Sequence, residues 1–275
     1  MKNTVLPYFF FISSLFFISC GPGKSTADET WKEELPWVRE YSVQAIMWQQ
    51  NAAEYRALSY QAFNTAKLRL EMLLQDENLK GKRLAIITDI DETVFDNSPY
   101  NAKLVETNKE FSQEEWSHWS SLEEAKEVPG AAEFLNFAAD KGFEIFYITN
   151  RMESEEEGTL RNMKELNFPF SDSRHLLLQK DIGSKKERFE EVRKNHEVVM
   201  YLGDNLSDFT HKFRAPSSDE RNNLADELKD RFGVDFIVLP NPMYGDWETK
   251  GIYEGKYDWS DREKDSIRKA SLKAY

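Results

Sequence analysis

The sequence predicts an α/β fold: a parallel sheet with helices on both faces, preceded by a long N-terminal helix and interrupted by a helical cap. Three observations predict it. Short apolar runs ending in polar or acidic residues recur along the chain, as buried parallel strands do when their carboxyl ends carry chemistry. Between these runs lie segments with apolar residues at helical spacing, and such alternation marks parallel crossover units. One polar segment, 98–127, breaks the alternation and reads as an inserted cap.

Composition narrows the function. Among 275 residues, 36 are Lys or Arg and 49 are Asp or Glu, giving a formal net charge of −13. That surplus opposes a general nucleic-acid binder, which needs a basic face for phosphates. The single cysteine excludes an internally stapled scaffold. With 40% apolar and 13% aromatic residues the chain is not a disordered one.

The first twenty residues stand apart. Lys2 gives a positive start, an apolar run spans Val5 to Ile18, and Ser19-Cys20-Gly21 follows. That layout is a secretory signal, too short for a confident transmembrane span. A Cys after an apolar run and a small residue resembles a bacterial lipobox, although Phe17 stands where Leu is usual. The expectation is that residues 1–20 are a lipoprotein signal and that Cys20 is acylated. The alternative is an ordinary signal peptide with an incidental Cys. Acylation implies export across the inner membrane and anchoring, at the bacterial outer membrane on this reading, without a spanning helix. Residues 21–35 then read as a polar tether, and 36–275 as the folded domain.

From Trp37 to Leu74, apolar residues at helical spacing predict one long helix or two with a short break. Leu84 to Asp89 is the first strand. Pro129 to Lys141 is a helix opened by Pro. Phe143 to Thr149 is the second clear strand, Gly158 to Leu166 a helix, and Leu176 to Leu178 a short apolar run. Lys185 to Lys194 is a charged helix, Glu197 to Leu202 a third strand, Asp219 to Arg231 a helix and Val234 to Leu239 a fourth strand. The long helix and the tail after Trp259 offer surfaces for pairing subunits as a homodimer.

Ligands of an open parallel sheet bind outside the carboxyl ends of its strands. The first strand ends in Asp89-Ile90-Asp91-Glu92-Thr93, the second in Thr149-Asn150-Arg151, the third in Gly203-Asp204 with Asp208 four residues on. Asp89 and Asp91 are two apart and can share a face. With Asp204 and Asp208 they bring four carboxylates to one edge, where mutual repulsion calls for a hard cation, and Mg²⁺ suits oxygen ligands shared with a substrate phosphate. A Thr hydroxyl, an Asn amide and a Lys ammonium complete a cradle for phosphate oxygens. One carboxylate can act as nucleophile and its neighbour as general acid and base.

Asp89-x-Asp91-x-Thr93, Thr149-Asn150, Lys185 and Gly203-Asp204-x-x-x-Asp208 resemble the four ordered motifs of the haloacid dehalogenase (HAD) superfamily of phosphohydrolases. The run Asp89-Ile-Asp-Glu-Thr-Val-Phe-Asp-Asn-Ser-Pro-Tyr100 resembles the first motif of its class C acid phosphatases, which include bacterial outer-membrane lipoprotein 5′-nucleotidases. Trp48-Gln-Gln-Asn-Ala-Ala-Glu-Tyr-Arg56, Gly203 to Phe209 and Leu239 to Trp247 fit the same family. The resemblance covers nearly all of residues 37–255. It implies a HAD-like Rossmannoid fold and a Mg²⁺-dependent phosphomonoesterase.

The resemblance also implies roles. Asp89 would attack phosphorus and form an aspartyl-phosphate. Asp91 would protonate the leaving alkoxide and then activate water. Asp89, the backbone carbonyl of Asp91 and Asp204 would hold Mg²⁺, with Asp208 orienting the metal shell. Thr149 and Asn150 would contact phosphoryl oxygens. Lys185, favoured over Lys186 by its spacing to Arg188, would neutralise charge there. Trp116 and Tyr244 would stack a nucleobase, or else pack cap against core. Arg151 either binds phosphate or pairs with a carboxylate. Trp48 and Trp247 read as packing residues. None of His118, His175, His196 and His211 has ligand spacing. The substrate is a small phosphomonoester, a 5′-nucleotide (nicotinamide mononucleotide included) or a broader range. The competing reading is a catalytically silent surface-binding lipoprotein on the same scaffold.

Overall fold

The computed structural model describes residues 39–180, 185–215 and 217–275. The signal, Cys20 and the tether expected from the sequence lie outside them. The described residues fall within one compact unit spanning Leu35–Tyr275.

Its centre is a five-stranded sheet of β1 (Leu84–Thr88), β4 (Glu144–Met152), β5 (Leu176–Gln179), β6 (Glu197–Gly203) and β7 (Phe236–Val238), in the order β5-β4-β1-β6-β7. Every neighbouring pair is parallel. Successive side chains point to opposite faces, so each strand feeds two cores. Ile86, Ile145, Tyr147, Met200 and Leu202 enter one, against Phe63, Ala66 and Leu70 of α2 (Ala53–Leu73) and Phe134, Leu135 and Ala138 of α5 (Ala131–Asp140). Ala85, Ile87, Phe146, Ile148 and Tyr201 enter the other, against Phe189 and Val192 of α7 (Lys186–Arg193). Burial on both faces explains why the strands read as unbroken apolar runs.

The long N-terminal helix is two helices. α1 (Val43–Asn51) and α2 are separated at Ala52, whose backbone is extended (φ −79°, ψ 130°). No Pro or Gly marks the break; packing makes it. α1 lies against α3 (Ser98–Thr107) and its Gln49 donates to Asp96 at 2.9 Å, whereas α2 lies against α5. Trp48, before the break, meets Tyr55 after it edge to face, so Trp48 does pack.

The cap is a true insertion. β2 (Phe95–Asp96) and β3 (Lys126–Glu127) pair antiparallel and close its stem, and it carries α3 and α4 (Gln113–Leu122). Trp119 of α4 is buried although its neighbours are polar. β4 runs three residues past its expected end, through Met152, after a register shift against β5 beyond Ile148. The remaining helices are α6 (Glu156–Glu165), α8 (Ser218–Glu227) and α9 (Asp261–Ala270). α9 folds back on its own chain: Arg268 donates to the Tyr253 hydroxyl at 2.7 Å and covers the Tyr41 ring. No described helix is long and apolar enough to cross a membrane.

Candidate active site

Parallel strands direct their carboxyl ends to one edge, and β1, β4 and β6 there deliver the acidic and polar residues singled out above. Asp89 follows β1 and is tied to β6 by its N–H, which donates to the Leu202 carbonyl at 3.0 Å. Asp204 follows β6. Asp208 closes a 3-10 turn, Leu206–Asp208, in which its carboxylate accepts from the Asn205 N–H at 3.0 Å.

Asp89, Asp204 and Asp208 each offer a carboxylate oxygen within 4.8 Å of the others. The Asp91 side chain is not in that cluster. Lys185 lies between two of the three, its ammonium donating to Asp89 and, at 2.7 Å, to Asp208 Oδ1. The structure thus brings Lys185 to the carboxylates, while Lys186 stands at the wall of the adjoining cavity. Burial, with Asp208 and Asp91 nearby, pushes the Asp89 carboxyl up to about 7 against the pull of Lys185. Burial, then Asp208 and Asp89, holds Asp204 well above its ordinary value. Burial works to lower Lys185, yet Asp208 and Asp89 outweigh it and keep the ammonium above its usual range. Three crowded, oxygen-only donors, with the charged forms of Asp89 and Asp204 disfavoured, fit a hard divalent cation.

Asp204 is fixed from two sides. The Thr93 hydroxyl donates to one oxygen at 3.2 Å and accepts the Asp204 N–H at 3.0 Å; the Asn241 amide donates to the other oxygen at 2.8 Å.

Asp91 is held separately. Arg151 grips it through Nε at 3.0 Å and Nη2 at 2.8 Å, Asn97 donates to it at 3.0 Å and the Thr149 hydroxyl at 3.3 Å. Of the two roles open to Arg151, the structure therefore shows the ion pair, with only 2% of the residue exposed. Asn150 is exposed, and its side-chain oxygen faces Arg188 at 3.4 Å. Arg188 also donates to the backbone carbonyls of Thr149 and Leu177, linking β4 to β5.

Trp116 and Tyr244 both line a cavity of about 640 Å³ that opens over Asp89, Asp91 and Lys185. Trp116 is half-buried, edge-on to Tyr100 with centroids 5.0 Å apart. The Tyr244 hydroxyl donates to Glu92. Glu92 is wholly buried, has a left-handed backbone (φ 58°) and accepts the Asn97 N–H at 2.9 Å. Burial, then Asp91 and Asp204, pushes its carboxyl well up. Trp247 is 44% exposed rather than packed.

Glu92, Asn97, Arg188 and Asn241 are site-forming residues whose contacts sequence reasoning missed. All but Arg188 stand in the strings quoted for their resemblance, which was the one available signal.

Comparison with known proteins agrees with this geometry. The model of HAD superfamily, subfamily IIIB (Acid phosphatase) matches residues 25–247. The class C acid phosphatase from Bacillus anthracis, solved with tungstate bound, superposes with a TM-score of 0.82 at 39% identity, covering 87% of this chain and 99% of that one. A second structure of that enzyme gives 0.81 and 38% over the same shares. The stem 31 kDa glycoprotein of Glycine max is 25% identical over 164 residues, so the chain spans 58% of that relative's length. The matched family model covers most of the chain and the fold agrees over the matched share: the chain belongs to the HAD superfamily, subfamily IIIB, the acid phosphatases, which are phosphoric monoester hydrolases.

Proposed function

We propose that this acid phosphatase is a Mg²⁺-dependent phosphomonoesterase that acts on 5′-nucleotides, nicotinamide mononucleotide among them, through an aspartyl-phosphate on Asp89. The observation that carries the reading is the convergence of Asp89, Asp204 and Asp208 within 4.8 Å, with Lys185 between two of them. Phosphoryl transfer needs positioning and charge stabilisation more than covalent help. Asp89 would attack phosphorus in line as the ester P–O bond breaks. Asp91 would give its proton to the leaving alkoxide, then take one from the water that releases phosphate. Thr149, Asn150 and Lys185 would hold the phosphoryl oxygens. Asp89, Asp204 and Asp208, with the Asp91 carbonyl, would hold Mg²⁺, which when bound lets an anionic nucleophile meet an anionic ester. The tungstate in the Bacillus anthracis enzyme is a phosphate-shaped oxyanion and supports this class of ligand.

The substrate's organic part enters the 640 Å³ cavity, where Trp116 and Tyr244 offer flat faces to a base. The mature protein, assayed on AMP, nicotinamide mononucleotide and a sugar phosphate with Mg²⁺ or EDTA, should favour the two nucleotides and lose activity in EDTA. Equal rates on all three would remove base recognition. Activity untouched by EDTA would remove the metal, and no activity on any ester would return the silent binding scaffold.

The same reading places the protein outside the inner membrane, held by a lipid on Cys20. Changing Cys20→Ser should move it from the membrane to the soluble fraction; unchanged fractionation would argue against the anchor.

A further inference from the structure

The cap is joined to the catalytic edge by a polar brace. Three residues of one cap helix, α4, build it. Trp119 Nε1 donates to Asn97 Oδ1 at 2.9 Å, and Ser120 Oγ accepts from Arg151 Nη1 at 2.8 Å. The Trp116 ring lies 5.4 Å from the Arg151 guanidinium carbon, with Phe95 at 5.1 Å. Thr159 of α6 accepts from the same Nη1 at 3.1 Å, and Nη2 reaches Asn97 Oδ1 at 3.4 Å. Asn97 and Arg151 both donate to the Asp91 carboxylate, and the Asn97 amide also reaches Glu92 at 3.5 Å. Every nitrogen of the guanidinium is therefore engaged by protein.

The two Asp91 oxygens are not equivalent. Oδ1 accepts from Asn97 at 3.0 Å and from Arg151 at 2.8 and 3.0 Å, which fills the lone pairs of a carboxylate oxygen. Oδ2 has only longer contacts, 3.2 Å to Arg151 Nε and 3.3 Å to the Thr149 hydroxyl. Oδ2 is thus the less engaged of the two oxygens.

We infer that α4 of the cap sets the geometry of proton transfer, with Arg151 and Asn97 as positioning residues that lock the Asp91 carboxylate in one orientation and leave Oδ2 as its less engaged oxygen. This rests on the proposed role of Asp91 as general acid and base. Fixing one rotamer in advance removes an ordering cost from the transition state. Arg suits the task because its planar fork grips a carboxylate at two points, which Lys cannot do. The same contacts make the cap part of the proton-transfer machinery as well as a wall for the substrate.

Leaving-group dependence separates positioning from general damage. A good leaving group needs no proton, whereas an alkoxide does. kcat/KM reports the steps through transfer to Asp89, so it should be compared for glycerol phosphate and p-nitrophenyl phosphate. For Arg151→Ala with Mg²⁺ present, we expect kcat/KM on glycerol phosphate to fall about 100-fold and on p-nitrophenyl phosphate by less than about threefold. The kcat on p-nitrophenyl phosphate should also fall, because Asp91 must still activate water. Arg151→Lys should recover part of the loss, and Trp119→Phe should shift both esters in the same unequal way, less strongly. Should Arg151→Ala fail to fold, Trp119→Phe decides. Equal losses on both esters, or no loss on either, would overturn the inference. A wild-type protein inactive on both esters and on AMP would instead overturn the proposed function.

Discussion

Asp208 shows how tightly the acidic edge is built. Gly203 has no side chain because none fits: a Cβ there would lie 2.5 Å from the Asp208 Cβ and 2.7 Å from its Oδ2. Gly203→Ala should therefore push Asp208 out of place and weaken Mg²⁺ activation roughly 10- to 100-fold, the range seen when groups around metal ligands are lost. The Mg²⁺ concentration for half-maximal activity would measure this, and an unchanged value would mean that Asp208 does not help to hold the metal. The carboxylates themselves were legible in the sequence because Asp89 and Asp204 follow apolar strands directly and Asp91 and Asp208 stand a few residues on. Glu92 and Asn97 were not. Their importance depends on Tyr244 and Trp119, which are distant in sequence and reach them only in the folded chain.

Among the elements, β4 carries charge chemistry at both ends. At its start Glu144 accepts from His175 Nε2 at 3.0 Å, His196 Nε2 at 2.9 Å and Arg83 at 3.0 Å. Burial raises this carboxyl, but those hydrogen bonds outweigh it and hold it down at about 2, against an ordinary 4.5. A carboxyl lowered by folding contributes stability that is fully present above its unfolded value and is lost as pH falls through the folded one. Glu144→Gln should thus lower the melting temperature at neutral pH, and the gap from wild type should close between about pH 4.5 and 2. Thermal unfolding across that range checks it; a gap independent of pH would show that Glu144 packs without pairing. The two histidines, unassigned from sequence, are packing residues of this cluster. At its other end β4 overran its expected stop, because the apolar pattern ends at Ile148 while backbone pairing continues. The helix break at Ala52 was unreadable for a similar reason. Two stretches with one periodicity dock on different partners, and only the partners decide where the chain turns.

For the whole molecule, the fold class followed from strand–helix alternation, which marked four of the five sheet strands; the fifth, β5, four residues long at the sheet edge, read only as a short apolar run. A net charge of −13 disfavours an anionic ligand over the surface at large. The structure makes the conflict local, since the crowded carboxylates suit a cation and Lys185 lies between two of them. The central claim is that this edge transfers a phosphoryl group to Asp89. It is tested most directly by mixing the mature protein with Mg²⁺ and phosphate-labelled AMP, quenching in acid and mapping the label by mass spectrometry. The account predicts one phosphoryl group on the peptide containing Asp89, absent from Asp89→Asn, which should also have no turnover. Label on another residue, or near-normal rates in Asp89→Asn, would contradict it.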